Sequence, residues 1–130
     1  MNSRIGFGRT LAMPFDEAVT RVTEALRKEG FGVLSDIDVA GTLKAKLDVD
    51  FAPYRILGAC NPPLAHRALE LEPEIGLLLP CNVVVREQDG AVRVDFMDPT
   101  AVLDLVGRPE IHAVAADVKK RLTRVCNALP

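Results

Sequence analysis

Apolar residues recur along this chain with periods of two and of about three and a half, and the switches between them mark out short strands and helices. Residues 3–11 read as a first strand. Pro14 suits the start of a helix, with Asp16 and Glu17 in the first turn, where the helix dipole favours acids. Val19, Val22 and Leu26 follow at helical spacing, and Gly30 stands where a C-terminal cap belongs. Residues 31–37 form a second strand, with Phe31, Val33 and Ile37 expected on one face. Ala40, Leu43 and Leu47 carry a second helix that Asp38 can cap.

A third, mostly apolar strand covers residues 54–60. Asn61-Pro62-Pro63 reads as an N-cap and the first turn of a third helix over residues 62–71. Residues 75–85 look like a central strand, bent at Pro80. Asp89-Gly90 signals a hairpin, flanked by Val83 and Val85 on one side and Val92, Val94 and Phe96 on the other. Asp98-Pro99 opens a helix that Gly107 ends, and Pro109 opens the last one. Its apolar stripe is Ile111, Val114, Val118, Leu122 and Val125, with Lys119, Lys120, Arg121 and Arg124 towards its C-terminus. The order β-α-β-α-β-α-β-β-α-α, with its hairpin and closing helix pair, predicts an α+β fold. It would be a single domain over residues 1–130, with a mixed, mainly antiparallel sheet of about five strands and helices packed on it.

Composition narrows the function more than it identifies one. The chain has 130 residues, 48% hydrophobic and 26% charged, which suits one packed domain. A net charge of −2 gives no field to attract a phosphate backbone, and the lack of Trp with only one Tyr serves base stacking poorly, so nucleic acid is not an expected partner. The apolar run at residues 75–85 is interrupted by Pro80 and Asn82 and falls short of the roughly 20 residues of a membrane span. No signal-peptide pattern opens the chain. Three cysteines without scaffold spacing point to reduced thiols, hence a soluble, cytoplasmic protein.

The segment with the most chemistry is Gly58-Ala59-Cys60-Asn61-Pro62-Pro63. It sets a cysteine between a strand end and a helix N-terminus, where backbone N–H groups and the dipole favour an anion and can lower a thiol's pKa. Gly58 would let a ligand or another backbone come close. Pro80-Cys81-Asn82 repeats the theme; if the two strands are neighbours, Cys60 and Cys81 could share one site, for a soft metal or a dithiol–disulfide couple. The same cysteines also read as small buried hydrophobes. His66 and His112 complete a donor set by type but not by spacing. His66 reads as a helix-surface residue, and His112 and Cys126 as boundary packing on the last helix. Asp36, Asp38, Asp48 and Asp50 lack the spacing of a calcium loop. Asp98 reads as an N-cap whose carboxylate could also line a site.

Several of these segments carry a resemblance: Gly30-Phe31-Gly32-Val33-Leu34, Asp36-Ile37-Asp38-Val39, Leu43-Lys44-Ala45-Lys46-Leu47, Tyr54 through Pro62, Gly76 through Asn82, and Met97-Asp98-Pro99. Together they resemble the bacterial and archaeal domain-of-unknown-function 302 family. The resemblance implies a small α+β domain that tends to dimerise, and it supplies no activity, cofactor or catalytic residue.

The expectation is therefore a homodimeric binding module. It would hold a small anionic ligand, or a soft metal or metal-containing cofactor, near Cys60 and Asn61, with Gly58, Cys81, Asn82 and Asp98 around them. Cys60 and Cys81 are the weak metal candidates. Two alternatives stand beside it: a thiol enzyme with Cys60 as nucleophile and Cys81 as resolving partner, and a structural homodimerisation domain with inert cysteines.

Overall fold

The computed structural model describes residues 3–130. Their elements run β1 (Gly6–Leu11), α1 (Phe15–Lys28), β2 (Gly32–Asp38), α2 (Val39–Leu47), β3 (Tyr54–Cys60), α3 (Pro62–Leu71), a 3-10 segment (Pro73–Leu78), β4 (Cys81–Gln88), β5 (Ala91–Met97), α4 (Pro99–Leu103), a 3-10 turn (Asp104–Val106) and α5 (Pro109–Ala128). The strands form one sheet in the order β1-β5-β4-β3-β2, antiparallel at every pairing. The α+β expectation and its element order hold.

Local chemistry sets most boundaries. Asp89 and Gly90 both have positive φ, 52° and 78°, as the tight turn between β4 and β5 requires. Asp38 accepts a hydrogen bond from Gly41 N at 2.9 Å and caps α2. Asp98 accepts from Thr100 N at 2.9 Å and caps α4. Gly30, at φ 86°, lets the chain turn out of α1.

The core lies between the helices and one face of the sheet. Val83 and Val85 of β4, Val92, Val94 and Phe96 of β5, and Leu57 of β3 are all but inaccessible. So is the predicted stripe of α5, from Ile111 through Val125. Each such side chain contributes roughly 1.5–3 kcal/mol of transfer free energy, before the entropy of ordering it is counted.

Three expectations need correction. Residues 75–78 are not strand: Pro73–Leu78 coils into a 3-10 helix and β4 begins at Cys81. Ile75 still reaches the core, which is why its apolar neighbours read like a buried strand. In β2 the register shifts between Val33 and Ser35, so Val33 pairs with Ala59 but Ile37 with Ile56. Residues 59 and 56 lie on opposite faces of β3, so Val33 and Ile37 cannot share a face. In α2 no residue is buried, and Leu47, expected to help carry the helix, is 65% exposed.

Gly58 shows what joins β3 to the segment before β4. A Cβ there would lie 2.8 Å from Pro80 Cγ and closer still to Ser35 Oγ. The exposed serine can rotate away, but the proline ring cannot. Gly58→Ala is therefore expected to lower unfolding stability by about 1–3 kcal/mol in urea denaturation. Gly76→Ala, whose added methyl meets nothing within 4 Å, should leave it nearly unchanged. Equal midpoints for the two variants would contradict the close approach.

Candidate functional site

β3 and β4 are neighbours, and Ala59 lies directly opposite Cys81. This brings the two Cys-Asn segments to the same end of the sheet. A groove of about 390 Å³ opens there, between α3, the Leu79–Cys81 segment and the start of β2. Cys60, Asn61 and Cys81 all line it. Leu64, Ala65, Ala68 and Leu69 form its α3 wall, and Leu103, Val114 and Val118 reach it from α4 and α5. Apart from the two thiols, Ser35 and Asn61 are the polar side chains among the described residues of the lining.

The remaining predicted site residues lie elsewhere. Gly58 does not line the groove; Ser35 and Pro80 occupy the space beside it. Asn82 is exposed and lines a second, larger concavity of about 920 Å³ on the sheet face opposite the helices. There Asp95 lies 2.9 Å from Arg93 Nε and 3.8 Å from Arg86 Nη2, and with Asp89 also in the lining the two arginines meet two aspartates. Asp98 is committed to its cap and to Lys119 Nζ at 2.8 Å. Burial pushes its carboxyl up, but the bonds from Lys119 and Thr100 outweigh this and hold it below the ordinary aspartate value.

The start of α3 does not offer the anion site expected of it. Pro62 and Pro63 have no N–H to donate. The next donor, Leu64 N, is taken by Asn61 Oδ1 at 3.3 Å. Ala65 N already makes the first helical bond, to Asn61 O at 2.9 Å. The first turn thus leaves an anion no N–H from these four residues to bind, despite the favourable dipole.

The thiols follow the same logic. All three cysteines are free. Burial raises the pKa of Cys60 above the ordinary thiol value. Burial, and then the neighbouring Cys60, push Cys81 up to about 11. Neither thiol is held as a thiolate, which runs against the lowered pKa expected of a cysteine beside a helix start. Among the described residues no group of three or more His, Cys, Asp and Glu side chains could hold a metal ion. His66 is exposed beside Glu70, and His112 is exposed while Cys126 is buried. Of the four aspartates, Asp36 pairs with Arg55, Asp38 caps α2, and Asp48 and Asp50 bind Lys44.

The apolar walls were the part that sequence reasoning missed. Their local signal was in α3, where Leu64, Ala65, Ala68 and Leu69 make a stripe two residues wide, broader than a helix needs to reach a single core.

Alkylation by iodoacetamide should be slow at neutral pH for both Cys60 and Cys81, with the Cys81 rate still rising towards pH 11. Each thiol keeps its proton more tightly in the folded chain than in the unfolded one. Their contribution to stability is thus complete below the ordinary thiol value of 9.0 and is lost at higher pH, for Cys81 as pH rises through about 11. An apparent pKa below about 7.5 for either residue would overturn this account.

Comparison with known proteins agrees with the architecture. No curated protein matches the chain. A solved relative is described as the crystal structure of an uncharacterized conserved protein DUF302 from Bacillus stearothermophilus. It is 32% identical, with a TM-score of 0.89, over 96% of this chain and 98% of that one. The family model described as domain of unknown function DUF302 matches residues 7–129. With nearly its whole length matched, the chain belongs to the DUF302 family.

Proposed function

We propose that this chain is a binding module, working as a homodimer, whose groove takes a small and predominantly apolar ligand. The observation that carries this reading is the groove's lining: apolar side chains from five elements, Phe31 and the Leu79-Pro80 segment, two protonated thiols, and Ser35 and Asn61 as further polar groups. Its volume of about 390 Å³ falls within the roughly 300–1,000 Å³ of small-molecule sites. Leu34 and Leu69 at the rim are 70% and 40% exposed. A ligand that covered them would gain about 25 cal/mol for each Å² of apolar surface removed from water.

The same lining argues against the other ligands considered. An anion would find few donors, and losing its hydration there would cost more than they return. A soft metal would have to displace protons from two thiols held above their ordinary pKa, with no third donor in the group. Sulfur transfer through Cys60 faces the same obstacle, because the nucleophile is the thiolate. Neutral thiols suit an apolar groove as small polarisable surface.

Ala65 is half-buried on the α3 wall, so a larger side chain there can fill the groove without entering the core. The neutral fluorophore N-phenyl-1-naphthylamine should bind the wild-type chain, and a medium-chain fatty alcohol should displace it. Ala65→Phe should weaken dye binding about tenfold or more, equivalent to ~1.4 kcal/mol. Dye binding that ignores Ala65→Phe, or no binding to the wild type, would contradict the reading.

A further inference from the structure

The least buried part of the molecule is one continuous stretch. No residue from Gly32 to Ile56 is buried, although the stretch folds as β2, α2, the segment to residue 53 and the start of β3. It also holds five of the nine large hydrophobic side chains that are exposed among the described residues: Leu34, Ile37, Leu47, Val49 and Phe51. Ordering a strand and a helix costs conformational entropy, and here almost no burial within the chain offsets it. The length of the stretch matches the roughly 20–30 residues that each partner contributes to a standard protein interface.

We infer that this stretch is where a second copy of the chain docks, with β2 of one copy pairing antiparallel to β2 of the other about a two-fold axis. Three observations select a second copy as the occupant. First, β2 is an edge of the sheet, paired only to β3, and an open edge is completed by another extended strand. The other edge, β1, is mostly half-buried, whereas six of the seven β2 residues are exposed. The molecule's own exposed edge is itself such a strand, so two copies satisfy one another.

Second, apart from the register shift between Val33 and Ser35, β2 lacks the devices that keep an edge single. Its sequence, Gly-Val-Leu-Ser-Asp-Ile-Asp, contains no lysine and no proline. Its two acids are occupied within the chain: Asp36 accepts from Arg55 Nε at 2.7 Å, and Asp38 caps α2. A pairing centred on Ser35 would keep the two Asp36 side chains off direct opposition. Third, the stretch carries both signs of charge, with Lys44, Lys46 and Arg55 beside Asp36, Asp38, Asp48 and Asp50. A two-fold axis therefore does not bring together two surfaces of a single sign.

The position has a consequence for ligand binding. Leu34 and Ser35 belong both to this edge and to the groove lining. The second copy would cover the exposed rim at Leu34 and slow the release of an apolar ligand. This inference rests on the proposed dimer, and its interface does not depend on which ligand the groove takes.

Sedimentation velocity on the full chain tests it. The wild type should sediment as a dimer that dissociates on dilution. Ile37→Lys combined with Leu47→Glu changes two exposed positions, so the variant should keep its circular dichroism and sediment as a monomer. Leu105→Glu, exposed but outside the stretch, should stay dimeric. A monomeric wild type at every concentration would overturn both the dimer and this interface. A dimeric wild type whose Ile37→Lys/Leu47→Glu variant is equally dimeric would overturn the interface alone. Dye binding by the Ala65→Phe chain reports on the groove separately from either result.

Discussion

Where β3 passes the segment leading into β4, Gly58 presents no side chain, and Pro80 and Ser35 occupy the space a Cβ would need. This close approach fixes the ends of three strands at once. It draws Leu79-Pro80 over β3, brings Ser35 of β2 alongside, and lets β4 start at Cys81 opposite Ala59. The groove follows from that junction. Its floor is the end of the sheet, one wall is α3, and the other is the Leu79–Cys81 segment. A larger residue at 58 would separate these parts, so a glycine that contacts no ligand governs the shape of the candidate site.

The chemistry of the groove is decided by what is withheld from it. A helix start normally offers free N–H groups and attracts anions. Here two prolines remove two donors and Asn61 engages the third. A cysteine beside a helix start normally leans towards thiolate, yet burial of both thiols pushes them the other way. Both effects leave an apolar concavity at a place where the backbone plan alone would suggest an electropositive one. Cys60 and Cys81 are brought together as lining, without the third donor or the lowered pKa that metal or thiol chemistry requires.

The elements that were legible in the sequence are those whose cause is local. Asp38, Asn61 and Asp98 cap helices, and Asp89-Gly90 turns a hairpin, because each effect is settled within about four residues. The stripe of α5 was legible because twenty residues of period leave little ambiguity. Ile75 through Leu79 was not, since a short apolar run fits a buried strand and a 3-10 turn equally well. Pro73, at the first position of that turn, was the available signal. Pro62-Pro63 is itself a legible signal, because two prolines in a first turn remove two donors whatever the dipole favours. The groove itself was hidden because its walls come from elements far apart in sequence. The exposure of α2 and β2 was hidden because an apolar pattern reports that a face seeks burial, without saying whether the chain itself supplies the cover.

The central claim is that the groove beside α3 selects apolar over anionic ligands, and amide-resolved NMR titration addresses it most directly. With a medium-chain fatty alcohol, the amide signals of Ala65, Ala68, Leu69 and Cys81 should shift together and saturably. Inorganic phosphate should leave Asn61, Leu64 and Ala65 unmoved at concentrations well above the alcohol's. Saturable shifts at Asn61 and Leu64 with phosphate, and none along α3 with the alcohol, would contradict the account and restore an anion site at the start of the helix.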